Sequence, residues 1–152
     1  VGKSASAKRG TKFEQLLGRK LKLALPPRLA EVLDDQWVRY WLEGGKRGSA
    51  GLRWAQMDLA VVGKHSVVIG ECKLTQQRAG RQELRRLYVP LAKVIWPGKA
   101  IVPVMFFNQP TEAEYEEGRA EEFVRTALTR PLADGVGVID FRVDWADLEA
   151  SA

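Results

Sequence analysis

The stretch RWAQMDLAVVGKHSVVIGECKLT, residues 53–75, holds two apolar runs on either side of Gly63-Lys64-His65-Ser66. Short runs of Val, Ile and Leu bounded by turn-forming residues favour strands, so residues 53–62 and 66–73 are expected to pair as an antiparallel hairpin. With the turn centred between Lys64 and His65, Asp58 and Glu71 stand equally far from the centre and face each other. Opposed residues share one face of a sheet, with Cβ atoms about 5 Å apart. Alternation puts Lys73 on that face with Glu71. Two carboxylates and an ammonium are thus expected on one patch, among Leu59, Ala60, Val61, Val62, Val67, Val68 and Ile69.

Facing carboxylates repel, so one must hold a proton or a cation must offset them. Lys73 offsets part of the charge. A divalent ion would offset the rest, and Mg²⁺, or Mn²⁺ in its place, takes oxygen ligands while keeping several waters. Asp58, Glu71 and the backbone carbonyl of Cys72 are the candidate protein ligands, with phosphate oxygens completing the shell. Such an ion activates water and clamps a phosphate, and Lys73 would orient or deprotonate the attacking water or neutralise charge developing on phosphorus.

Working outward, the pattern predicts a helix over 11–24, with Thr11 as its cap and Phe13, Leu16, Leu17, Leu21 and Ala24 on its buried face. A short second helix is expected from Pro27 to Leu33, then an aromatic strand from Gln36 to Glu43. Residues 44–51 read as a glycine-rich basic loop without a phosphate-cradling pattern. Arg78 to Trp96 reads as a helix that Pro90 kinks or restarts. Ala100 to Phe107 reads as a strand buried on both faces. Glu112 to Leu128 is expected to be an acidic helix, Val136 to Val143 a strand, and Trp145 to Ala150 a short helix. The fold class is α/β, a mixed sheet flanked by helices. Residues 1–10 are expected to form a flexible basic arm and 11–152 a single domain, with its core at 11–107 and a helix-strand-helix extension at 108–152.

The 152 residues carry a net charge of +5, unevenly spread. Residues 1–106 hold 20 Lys and Arg against 8 Asp and Glu, while residues 107–152 hold 4 against 11. A basic body points to an anionic partner. The single cysteine, Cys72, excludes an internal disulfide and a Cys-x-x-Cys zinc site, and suggests an intracellular, cytoplasmic or nucleoid-associated protein. No apolar run is long enough to span a membrane. Trp37, Trp41, Trp54 and Trp96 could stack on bases, but core or dimer packing is the commoner role and the one expected.

Asp58 followed by Glu71-Cys72-Lys73, on the second and third strands of a helix-strand-strand-strand-helix-strand order, resembles the PD-(D/E)xK nuclease superfamily. The resemblance covers residues 10–107, with Met57 standing where a proline often precedes the Asp. It implies a restriction-endonuclease-like fold and Mg²⁺-dependent hydrolysis of DNA phosphodiesters. The start Gly10-Thr11-Lys12-Phe13-Glu14 is similar to that of archaeal Holliday-junction resolvases, which implies that Glu14 joins the metal site. The activity implied is that of a structure-selective or sequence-nonspecific DNA endonuclease in recombination or repair, acting as a homodimer on duplex or branched DNA. The alternatives are an exonuclease or single-strand nuclease of the same superfamily, and an inactive nucleic-acid-binding or assembly subunit. Arg78, Arg81, Gln82 and Arg85 fall on one helical face as candidate phosphate contacts. Lys12, Lys46, Arg47 and Gln77 join them as candidate DNA contacts, and Gln77 or Gln82 is a candidate to assist the site.

Overall fold

In the computed structural model, residues 4–41, 52–130 and 137–150 are described. Helix α1 runs Ala5–Ala24, capped by Ser4, whose side chain accepts a hydrogen bond from Ala7 N. It therefore begins six residues before the expected start, and residues 5–10 of the expected arm are its first turns. Thr11 lies inside the helix, where its hydroxyl donates to the Ala7 carbonyl, so it is not the cap. Pro26 and Pro27 end α1 as expected, but the helix expected from Pro27 to Leu33 does not form. Strand β1, Ala30–Trp41, occupies most of that segment.

Strands β2 (Leu52–Gly63) and β3 (Ser66–Thr75) form the expected hairpin. Then come α2 (Arg78–Glu83), a π-helical turn (Leu84–Tyr88), α3 (Val89–Ile95) and β4 (Ala100–Gln109). The wide turn precedes Pro90 and keeps Leu84, Tyr88 and Ala92, four residues apart, all buried. The expected acidic helix is corrected: Glu116–Gly118 is a strand, β5, and α4 covers only Ala120–Thr129. Strand β6 (Ile139–Val143) and α5 (Trp145–Glu149) follow.

The six strands form one mixed sheet in the order β1-β2-β3-β4-β6-β5. β1, β2 and β3 are antiparallel neighbours; β3, β4, β6 and β5 run parallel. Parallel β3 and β4 are joined by the α2–α3 crossover, as a parallel pair requires. Phe13, Leu17 and Leu21 of α1, Val124 and Leu128 of α4 and Leu148 of α5 pack with Phe106 and Phe141 in one core cluster. Leu84, Tyr88 and Ala92 pack with Met57, Ile69 and Met105 in a second. The sheet is thus a middle layer between helices, and its C-terminal strands belong to it rather than to an appendage.

Two features of the sheet position the cleft described below. The β2–β3 pairing runs from Val62↔Val67 to Leu59↔Gly70, while β2 stays paired to β1 as far as Leu52↔Trp41 and β3 to β4 as far as Thr75↔Gln109. The two central strands therefore part beyond Leu59. The β1–β2 ribbon also changes face at the same level. Leu59, Val61 and Val32 join the α1 cluster, whereas Ala55, Met57, Val38 and Tyr40 join the other. Asp35, opposite Asp58 in that register, sits at φ 52°, the left-handed conformation a sharp coil demands.

Gly70, at the last paired position, has no room for a side chain. A Cβ there would lie 2.9 Å from the Phe106 ring and 3.2 Å from Leu59 Cβ. Gly70→Ala is expected to lower unfolding free energy by about 1–3 kcal/mol, read as a lower denaturant midpoint with unchanged slope. A neutral or stabilised variant would contradict this packing.

Candidate metal and phosphate site

A cleft of about 400 Å³ opens where β2 and β3 part. It is lined by Glu14 of α1, Trp54, Gln56 and Asp58 of β2, Glu71, Cys72 and Lys73 of β3, and Glu83 and Tyr88 of the opposite helical layer. The sequence-derived trio and Glu14 therefore meet in one place. The β2–β3 register has the expected turn centre, with Leu59 opposite Gly70, but the pairing stops one residue short of Asp58 and Glu71, so these two are not a cross-strand pair and meet only as walls of the cleft.

The parting leaves the Cys72 N–H without a strand partner. It donates to Asp58 Oδ2 at 2.9 Å. Lys73 Nζ lies 3.2 Å from Glu71 Oε1. The other oxygen, Glu71 Oε2, is buried with no hydrogen-bond partner. Cys72 is buried in the α1 core cluster, on the face away from Glu71, as expected for a small hydrophobe. Burial and the surrounding carboxylates push its thiol pKa up.

Burial, with the Asp58 charge added, raises Glu71 to about 8. Burial and then the charges of Asp58 and Asp35 raise Glu14 to about 7. A protonated Glu14 donates a hydrogen bond to Asp58. Burial also raises Asp58, against the pull of the Cys72 N–H and Lys73. For Lys73, burial favours the neutral amine, but the Glu71 and Asp58 charges outweigh it and hold the ammonium above its ordinary range. Lys73 is thus held as a cation, which suits orienting water and neutralising charge rather than taking a proton.

Glu83 escaped the sequence reading, although it sits beside Leu84 and Leu87, on the apolar side of its helix. The Tyr88 hydroxyl lies 2.7 Å from the Gln56 carbonyl, to which it donates, and 3.1 Å from Glu83 Oε1. A Cβ on Gly80 would sit 3.0 Å from Met105 Sδ and 3.7 Å from Glu71 Cγ, so the glycine lets α2 close on β3.

All the donors lining the cleft that suit a hard cation are oxygens, and Glu71 Oε2 lacks a partner, which matches Mg²⁺ or Mn²⁺ chemistry. Among the described residues, no group of three or more histidine, cysteine, aspartate or glutamate side chains is arranged to hold a metal ion. One or two carboxylates with water completing the shell is the usual protein share for Mg²⁺.

The arginine row needs correction. Arg81 is turned inward, bridging Asp140 of β6 and Glu112, 2.9 Å away. It belongs to a buttress in which the buried Gln76 amide donates to Asp140 and the Glu114 carbonyl and accepts from Thr111 N and Glu112 N. Gln77, Arg78, Gln82, Arg85 and Lys12 are exposed. Lys46 and Arg47 lie outside the described residues. Trp96 is half-buried, whereas Trp37, Trp41 and Trp54 are exposed rather than in the core. No helix among the described residues is long and apolar enough to cross a membrane. Comparison with protein-family models, with curated proteins and with solved structures finds no match to this chain.

Glu14 and Glu71 hold their protons more tightly folded than unfolded. Their contribution to stability is complete below the ordinary carboxyl range, about 4.5, and is lost as pH rises through about 7 and about 8. In chelator, the melting temperature is expected to fall between pH 5 and 8.5. Glu71→Gln should raise it at pH 8 by about 2–4 °C, the effect of about 1 kcal/mol in a chain of this size, and flatten the slope. Identical pH profiles for the two proteins would refute the buried-proton assignment.

Proposed function

We propose that this chain is a Mg²⁺- or Mn²⁺-dependent deoxyribonuclease of the restriction-endonuclease-like fold, cutting phosphodiester bonds at the cleft between β2 and β3. The observation that carries this reading is the partnerless, buried Glu71 Oε2 in a cleft it shares with Asp58, Glu14 and Lys73. The element order and the splayed central strands support the resemblance to PD-(D/E)xK nucleases, including the junction resolvases that share the Glu14 position.

Asp58 and Glu71 would hold the ion, and Glu14 would complete the shell after releasing its proton. When bound, the ion supplies an acidified water and charge compensation for a phosphate. Asp58 is fixed for this task by the Cys72 N–H, so its carboxylate has a set position. Lys73 keeps its ammonium in the cleft and stabilises negative charge gathering on the scissile phosphate. Arg78 and Arg85, exposed on the α2 side, would hold the backbone without reading sequence.

A second reading draws on the exposed indoles of Trp37, Trp41 and Trp54 and the exposed Arg78 and Arg85, which would serve binding without chemistry. It makes the chain a non-catalytic nucleic-acid-binding or assembly subunit. Incubating the protein with duplex, single-stranded, nicked and four-way-junction DNA in Mg²⁺ or Mn²⁺ separates the two. Under the nuclease reading, Asp58→Asn, Glu71→Gln and Lys73→Ala each lose roughly 100-fold or more of the cleavage rate, with DNA affinity within a few fold of wild type. Variants that cut at the wild-type rate would dismiss these residues, and a wild type that binds but never cuts would favour the second reading.

The same titrations test the corrected arginine row. Arg78→Ala and Arg85→Ala should each reduce the slope of log affinity against log salt by about 1. Arg81→Ala should leave that slope alone and lower the melting temperature instead. The reverse pattern would return Arg81 to the DNA surface.

A further inference from the structure

The β1–β2 ribbon carries a surface that the nuclease reading leaves unused. Arg39 pairs with Trp54 and Trp41 with Leu52, and Trp37 pairs with Gln56. Opposed residues share a face, so Trp37, Arg39, Trp41, Leu52, Trp54 and Gln56 all lie on one side of the ribbon. The other side, with Val38, Tyr40, Ala55 and Met57, is spent on the second core cluster. The three indoles remain 62%, 54% and 59% exposed at Trp37, Trp41 and Trp54. Large aromatics left in water at this density mark a binding surface.

Three observations choose the occupant. The six positions include no acidic side chain and one guanidinium, which lies over the Trp54 ring at 5.9 Å from its centroid. Aromatic rings interleaved with arginine are what stacked bases and their phosphates require. The surface is also continuous with the cleft, because Trp54 and Gln56 line it alongside Asp58 and Glu71. A duplex buries its base faces against one another, so indoles can stack only on unpaired bases.

We propose that the ribbon is a stacking platform for unpaired nucleotides. The substrate would then be a nucleic acid that is single-stranded, or frayed at a branch, on one side of the scissile phosphate. This rests on the nuclease reading for the identity of the cleft. It narrows the substrate from DNA in general to strands with accessible base faces, laid from Trp41 and Trp37 toward Trp54 and the carboxylates.

Binding measured in chelator tests the platform without relying on cleavage. The probes are a 20-nucleotide oligo(dT), a blunt duplex of that length, and an abasic strand with the same phosphates. The oligo(dT) is expected to bind at least about 10-fold more tightly than the abasic strand and to quench tryptophan emission. Trp37→Ala and Trp54→Ala should each weaken oligo(dT) binding roughly 5- to 100-fold, the range for one stacked base, and leave the abasic strand unaffected. Trp54→Phe should restore most of the affinity, and unchanged melting temperatures would show the variants folded. Equal binding of abasic strand and oligo(dT), or alanine variants that bind oligo(dT) like wild type, would overturn the proposal. So would a dimer in sedimentation that the same alanine variants dissociate with oligo(dT) affinity unchanged; the surface would then join two copies of the chain. If oligo(dT) binds as expected but Mg²⁺ brings no cleavage, the platform stands and the nuclease reading falls. If the protein cuts and the tryptophans do not matter, the reverse holds.

Discussion

One backbone amide that a side chain, not a neighbouring strand, must satisfy governs the architecture of the cleft. Past Leu59, β2 follows β1 and abandons β3, because a ribbon that coils through Asp35 cannot also lie flat against the β3–β4 pair. The Cys72 N–H is stranded by that departure. A buried amide without an acceptor is costly. Asp58 meets the need from its own side chain, and the sheet continues with a carboxylate where a carbonyl would otherwise stand. The substitution opens the cleft and fixes its first acidic group in one act.

Around that anchored group the electrostatics are unbalanced. Four carboxylates, Glu14, Asp58, Glu71 and Glu83, line a cleft with one ammonium. Lys73 compensates one oxygen of Glu71 and leaves the other without a partner. Breaking or starving a buried ion pair is more expensive than never forming one, so protons gather on Glu71 and Glu14 at pH values where exposed carboxyls have lost them. A cluster that favours protons in this way is a poor stability device. Under the proposed function, the same arrangement would exchange those protons for a divalent cation.

Much of this geometry was legible in residues 53–75. Two apolar runs on either side of a four-residue turn set the hairpin register, and register sets which side chains converge. The buried faces of α1 and of the α2–α3 segment were visible for the same reason. What failed was where tertiary pairing overrode local preference. Ala30 to Leu33 has helix-compatible residues after a proline, yet Val32 and Leu33 pair with Val61 and Ala60 and become strand. Glu116–Gly118 is two glutamates and a glycine with no strand pattern of its own, ordered by pairing with β6. Thr11 suits a cap by residue type, but its hydroxyl bonds back to Ala7 inside a helix that Ser4 caps. Arg81 sits on the expected helical face, but its partners are 31 and 59 residues away in sequence, beyond the reach of any periodicity. Glu83 was overlooked because a lone Glu among leucines signals nothing until Tyr88 and Gln56 are seen beside it.

Gln76 follows Lys73 by three residues, and its amide is saturated by the segment ahead of α4 and by Asp140. Glu71, Met105 and Asp140 stand at one level across β3, β4 and β6. The acidic C-terminal third, which charge alone would assign to a repulsive outer flank, is therefore coupled to the cleft through the end of β3. A substitution at Asp140 would be felt at Lys73, far away in sequence, through the few peptide units that separate that lysine from Gln76.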